Sequence, residues 1–216
     1  MAIHLIGTSH IAKQSVREVK GKILKLEPDI VAVELDFQRY LALKNRQSRI
    51  TIASIRQIGF LGYVFAKFGS WMQHKLGQET GLLPGEEMLT AVNAAREANA
   101  KVAFVDMPIT QTLQKLSKEV PLTEKLRLVG YIIISPLVGE KIEFDISKVP
   151  EQKVIAKLTS VFRKKFPTLY KVLVSDRDEW IAHQLKHLQM AHPDANIIAV
   201  VGAGHLKGVK EALQRL

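Results

Sequence analysis

Two copies of one short pattern stand at opposite ends of this chain, Gly7-Thr8-Ser9-His10 and Gly202-Ala203-Gly204-His205. Each directly follows an apolar run with strand character, Ile3–Ile6 and Ile197–Val201, and each precedes a segment that reads as helix. Open α/β sheets gather their ligands and chemistry just past the carboxyl ends of the strands. Nearly the whole of the 216-residue chain separates the two histidines, so only the fold can bring them together. A fold that does so makes the pair the core of an active site, and the reading favoured for it is a metal site.

The periodicity between these ends alternates. Ile3–Thr8 predicts a first strand. Lys13–Leu26 predicts a helix with an apolar stripe through Val16, Val19, Ile23, Leu24 and Leu26, stopped by Glu27-Pro28-Asp29. Ile30–Leu35 is a short β-branched run suited to a buried parallel strand, and Asp36 can cap a helix over Phe37–Asn45. Ile50–Leu76 reads as a long helix weakened by Gly59 and Gly62, and Thr80–Gly85 as a turn-rich loop. Glu86–Ala98 predicts a helix with acidic residues where the macrodipole favours them, and Lys101–Val105 a third strand.

Pro108 fits the first turn of a helix over Ile109–Ser117. Helical pattern resumes from Thr123 to Pro136, and Glu140–Pro150 is an irregular link. Glu151–Phe166 and Thr168–Gln189 form either a helical hairpin or one helix kinked at Pro167. Asn196–Val201 is the fourth strand and Leu206–Arg215 the closing helix. This rhythm predicts an α/β fold: a mostly parallel central sheet flanked by helices, with a largely helical insertion or cap over residues 109–190, in one domain over 1–216.

The chain has no cysteine, which excludes disulfides, thiolate metal sites and a cysteine nucleophile. A metal here would be held by His, Asp, Glu and water, a donor set suited to Zn, Mn, Co or Fe. The net charge of +10 favours anionic partners, but the basic residues form no block and aromatics are only 6%. A solvated basic surface, with no specific nucleic acid, is the better reading. No signal peptide and no apolar run of transmembrane length is expected.

The strand ends collect the candidate chemistry: His10 after strand one, Glu34 and Asp36 after strand two, Asp106 after strand three, His205 after strand four. Glu86 and Glu87 open a helix after Pro84-Gly85 and offer a ligand or a general base. A bound ion lowers the pKa of its water and polarises a carbonyl, so hydrolysis would follow. Each residue also has a plainer reading. The histidines could cap helices, Glu34 could pair with Arg39, Glu86 and Glu87 could serve only the helix start, and Asp106 could cap a helix. Asp176-Arg177-Asp178 would ordinarily be a solvated helical face. His183 and His187 are four apart, but their run lacks the glutamate of a zinc helix.

In their order these motifs resemble the TraB/PrgY family. Its apolar strand into Gly-Thr-x-His is Gly7-Thr8-Ser9-His10 here, and its Val-Glu-Leu-Asp-x-x-Arg is Val33 to Arg39. Its Pro-Gly-x-Glu-Met step is Pro84 to Met88, so Glu87 takes the family position. Asp106 after strand three, the Arg177-Asp178 pair and the closing Val201-Gly202-Ala203-Gly204-His205-Leu206-Lys207-Gly208 complete the match. The family is similar to the Tiki-type metalloproteases and to the erythromycin esterase and haem-binding ChaN groups. One departure is Met107, where the family's strand-three step is often Asp-Arg.

The resemblance implies a divalent-metal-dependent hydrolase (Mn, Co or Zn), most readily a peptidase acting on a peptide or small signalling substrate. His10, His205, Glu34 and Glu87 would be metal ligands, with Glu34 or Glu87 alternatively the base. Arg39 and Arg177 would orient carboxylates or bind a peptide carboxylate. The alternative is a non-catalytic protein that sequesters a peptide or binds haem. The expected location is cytoplasmic or peripheral at a membrane surface, with the Ile50–Leu76 segment lying on the membrane, covering the site or packing in a core or homo-oligomer interface. Prokaryotic members often carry membrane helices after this region, so the resemblance implies either an excised soluble domain or a short member.

Overall fold

The computed structural model describes residues 3–8, 13–45, 85–128, 130 and 152–216. Four strands, β1 (Ile3–Thr8), β2 (Ile30–Val33), β3 (Lys101–Phe104) and β4 (Ile197–Gly202), form one wholly parallel sheet in the order β1-β4-β2-β3. The last strand is therefore inserted between the first two. Thr8 pairs with Gly202, so the strands carrying the two Gly-x-x-His patterns end side by side.

The pleat explains the composition of the strands. Ile6, Val200, Val33 and Phe104 lie in register across one face, and Leu5, Ala199, Ala32 and Ala103 across the other. Alternate residues of a strand face opposite sides, so each row meets its own helical layer. The branched row packs on α1 (Lys13–Leu26) and α3 (Glu86–Glu97) through Val19, Ile23, Ala91 and Val92. The alanine row accepts Ile181, Leu185 and Val209 from α7 (Asp176–Ala191) and α8 (Ala203–Leu213). Burying such side chains contributes about 1.5–3 kcal/mol each.

Most element boundaries agree with expectation, and the differences have local causes. Glu27 ends α1 in a left-handed conformation (φ 42°), just before Pro28. Asp36 caps α2 (Phe37–Lys44), its Oδ1 accepting the N–H groups of Gln38 at 2.9 Å and Arg39 at 3.1 Å. β2 stops at Val33, which leaves Glu34 and Leu35 beyond the ladder. Gly85 (φ 94°), in the region that favours glycine, leads into α3. Pro108 stands just before α4 (Ile109–Glu119) and not inside its first turn. α8 starts at Ala203, three residues earlier than expected, so His205 lies inside a helix. The expected helix over 50–76, the Thr80–Pro84 turn and the 140–150 link lie outside the described residues.

The described part of the 109–190 insertion is almost entirely helical. α5 (Gln152–Lys165) ends before Phe166, and α6 (Pro167–Tyr170) begins with proline in its first turn. A π-helical turn, Lys171–Ser175, joins α6 to α7. Leu113, Leu116 and Val120 of α4 and its end pack on Phe166, Leu169 and Val172, giving the insertion its own small core. Lys115 and Lys171 both bond to Asp176, the latter at 2.9 Å, and fix the approach to Arg177.

The start of α6 has no cap of its own. Buried Glu124 substitutes, accepting the N–H groups of Thr168 at 3.1 Å and Leu169 at 3.0 Å. Burial works to raise its carboxyl, but those backbone bonds, with Thr168 and Arg127, hold it below the usual range. A carboxyl depressed in the fold stabilises above its unfolded pKa, about 4.3, and the gain is lost as pH falls through the folded value. Glu124→Ala should cost about 1–2 kcal/mol at pH 7, a capping-sized loss. Urea unfolding should find the gap between the two chains narrowed at about pH 3.

Candidate functional site

Arg177 is the hub of the carboxyl edge. Its guanidinium holds Asp106 bidentately, Nε to Oδ1 at 3.0 Å and Nη2 to Oδ2 at 2.8 Å. Nη2 also donates to Glu34 Oε1 at 2.6 Å, and Nη1 to the Leu173 carbonyl at 3.3 Å. That fork geometry is what arginine offers and lysine does not. Its side chain is 15% exposed, against 4% for Glu34 and 1% for Asp106. Burial works against the Arg177 charge, but Asp106 and Glu34 outweigh it and keep the guanidinium protonated, above its ordinary range.

Two carboxylates have separate tasks. Asp106 Oδ1 also accepts the Met107 N–H at 2.8 Å and Oδ2 accepts Arg39 Nη1 at 2.9 Å, so it anchors two arginines. It is not a helix cap. The weighed pairing of Glu34 with Arg39 is replaced by Glu34 with Arg177 and Arg39 with Asp106. Glu34 Oε2 accepts the Gly202 N–H at 2.7 Å, which ties the end of β2 to the end of β4. The solvated reading of the Asp176–Asp178 run fails for Arg177 and for Asp178, which is 7% exposed.

His205 projects from the first turn of α8 into this cluster. Its Nδ1 lies 2.7 Å from Asp178 Oδ1, and its Nε2 lies 3.1 Å from Arg177 Nη1 and 3.5 Å from Glu34 Oε1. Arginine can only donate, so Nε2 bears a lone pair; with Asp178 ionised, Nδ1 carries the proton. Burial pushes the Asp178 carboxyl up, and the His205 hydrogen bond pulls the other way.

Gly208, one turn after His205, explains how Asp178 gets so close. A Cβ there would lie 2.5 Å from Asp178 Cγ and closer still to Oδ2. Sequence reasoning left Asp178 and Gly208 without roles. The signal available was a charged pair on a helix and a glycine three residues beyond a histidine.

Glu87 is buried in the first turn of α3 (1% exposed), and Arg39 is only partly buried. His10 lies outside the described residues. Among the described residues no group of three or more His, Asp or Glu side chains could hold a metal ion. Asp36 Oδ2 and Glu86 Oε2 are buried with no hydrogen bond among the described residues. A surface cavity of about 650 Å³ lies at the opposite sheet edge beside Asp29, Lys101 and His192, and none of these groups lines it.

A parallel α/β sheet whose carboxyl edge joins a histidine, three carboxylates and a central arginine defines the class of this protein. The chain matches the TraB/PrgY/gumN family over residues 1–216 and belongs to it. It is 30% identical to an uncharacterized protein of Methanocaldococcus jannaschii, MJ1365, over 99% of this chain and 54% of that protein. It is 23% identical to a human TraB domain-containing protein and 22% identical to a mouse one, over 97% of this chain and 62% of each of them. The chain thus spans between half and two thirds of these relatives. Among the described residues no helix is long and apolar enough to cross a membrane.

Proposed function

We propose that this domain is the core of a divalent-metal-dependent hydrolase acting on a peptide bond. The observation that carries the reading is the fixed His205 ring: Asp178 holds Nδ1, and Nε2 lies 3.5 Å from Glu34 Oε1. A carboxylate on the outer nitrogen is the usual support of a metal-bound histidine. That separation also suits two donors of one ion, each bond being about 2.0–2.2 Å. Glu34 and His205 therefore fit as half a site, and His10 is the proposed remainder; Glu87, buried at the start of α3, forms no three-donor group with them and is proposed as the alternative base. A bound ion would supply Lewis-acid polarisation of the scissile carbonyl and an acidified water.

The chain's own residues do the positioning. Asp178 selects the His205 tautomer, Gly202 holds Glu34 through its N–H, and Arg177 balances the charge of Glu34 and Asp106. Arg39, more exposed and bound through one nitrogen, has donors left for a substrate carboxylate.

The test is metal content and rebinding of Mn, Co and Zn to the parent chain and to His205→Ala. Stoichiometric binding that weakens about 100-fold or more in the variant, with chelator-sensitive cleavage of a peptide mixture, is the expected result. Folded parent protein that binds no ion would overturn it. One observation favours a second reading, peptide binding without turnover. Arg177 already stands against both Glu34 and His205 Nε2, as a resident cation would. Under that reading peptides bind equally well with or without chelator and emerge uncut.

A further inference from the structure

We infer that the outer edge of β1 is a docking rail for an extended acidic peptide. β1 is an edge strand, and among the described residues only β4 pairs with it. Exposed edges are normally blunted by charge, proline or shortness. β1 has six residues, Ile-His-Leu-Ile-Gly-Thr, with no proline, lysine, arginine or acid among them. The other edge, β3, has four residues and opens on the exposed Lys101. Among the described strands only β1 offers a long unguarded row of backbone donors and acceptors, which pairs with any extended chain regardless of sequence.

A groove of about 550 Å³ beside this edge supplies the selectivity. Ile3, Leu5, Leu206 and Leu213 give it apolar surface, and Lys186 of α7 and Lys210 of α8 stand at its sides. Neither lysine has an ion-pair partner among the described residues, whereas nearby Lys207 pairs with Glu211 and Arg215 with Glu179. Side chains of an added strand alternate, so every second one enters this groove. Two uncompensated ammonium groups there call for carboxylates on those alternate positions. The rail runs toward Thr8, which pairs with Gly202 at the site edge. Cleavage of the docked chain rests on the hydrolase reading above, but docking itself does not.

The probe is a fluorescein-labelled octapeptide of alternating Glu and Thr, with a Lys–Thr octapeptide as control, both in chelator so that no turnover occurs. Anisotropy should show the acidic peptide bound and the basic one not. Lys186→Glu/Lys210→Glu, with unchanged circular dichroism, should weaken binding about tenfold or more. Hydrogen exchange should show new protection of the Ile3–Thr8 amides on peptide addition. No binding of the acidic peptide, an affinity unmoved by the double variant, or protection elsewhere would each overturn the inference. So would β1 protection that appears without peptide and rises with protein concentration, since that assigns the edge to a second copy of the chain. Because the assay contains no metal, its failure leaves the hydrolase test intact, and the reverse also holds.

Discussion

Arg177→Met should be the most damaging single replacement of a polar side chain in this domain, costing about 3–5 kcal/mol, the range for removing one partner of a buried ion pair. At roughly 2–4 °C per kcal/mol for a domain of this size, the melting temperature should fall by about 10 °C. The reason is asymmetric. Glu34 and Asp106 stay buried, at 4% and 1% exposure, with their cation gone. They would not suffer equally. Asp106 keeps Arg39 at 2.9 Å and the Met107 N–H at 2.8 Å. Glu34 loses its 2.6 Å bond from the guanidinium and keeps the Gly202 N–H at 2.7 Å. Adding Glu34→Gln to Arg177→Met should therefore recover more stability than adding Asp106→Asn. A buried carboxyl without its counter-charge protonates more readily, so the deficit of Arg177→Met should also narrow as pH falls. Calorimetry of the four chains at two pH values tests the ranking. A melting temperature within a degree of the parent would show that the guanidinium does not hold this edge together.

What sequence reading reached and missed follows from the range of the forces involved. The strands and helices bordering the site are local events: a β-branched run from Ile30, a cap at Asp36, a proline after Glu27. Their order in the sheet is not local. That β4 enters between β1 and β2 depends on packing across the whole chain, and it sets Thr8 opposite Gly202. Pairings failed for the same reason. Arg39 lies five residues from Glu34, so the short-range pairing was the natural alternative to weigh. Yet Arg39 bonds Asp106 across 67 positions, and Glu34 bonds Arg177 across 143. Family motifs named Arg177-Asp178 but not their burial, because a helical charge run is ordinarily solvated. The early start of α8 was hidden by Ala203-Gly204, a stretch with little helix signal, and it changes His205 from a loop residue into one fixed by a helix and its neighbour.

Gly208→Ala puts two principles in direct opposition, and the outcome identifies what the glycine does. Alanine is the better helix former by about 1 kcal/mol, so an isolated α8 would gain from the change. In the folded domain the new methyl would overlap the Asp178 carboxylate, 2.5 Å from its Cγ. Asp178 would have to leave His205 Nδ1, now 2.7 Å away, or α8 would have to shift off α7. Overpacking of this kind typically costs about 1–3 kcal/mol, so after the helix gain the net expectation is a loss of up to about 2 kcal/mol. Under the metal-hydrolase proposal, loss of the outer-nitrogen partner of His205 should further cut metal affinity about 10–100-fold. Asp178→Ala supplies the control. With the carboxylate gone the closest atom left is the residue-178 Cβ, 3.2 Å from the methyl, so Gly208→Ala added to Asp178→Ala should be close to neutral. Nitrogen-15 shifts of the His205 ring give the readout that stability alone would not. The parent should show protonated Nδ1 and bare Nε2, and either single variant should shift toward a mixture of tautomers. A Gly208→Ala chain that melts higher than the parent with an unchanged ring spectrum would mean that the glycine serves neither Asp178 nor the site.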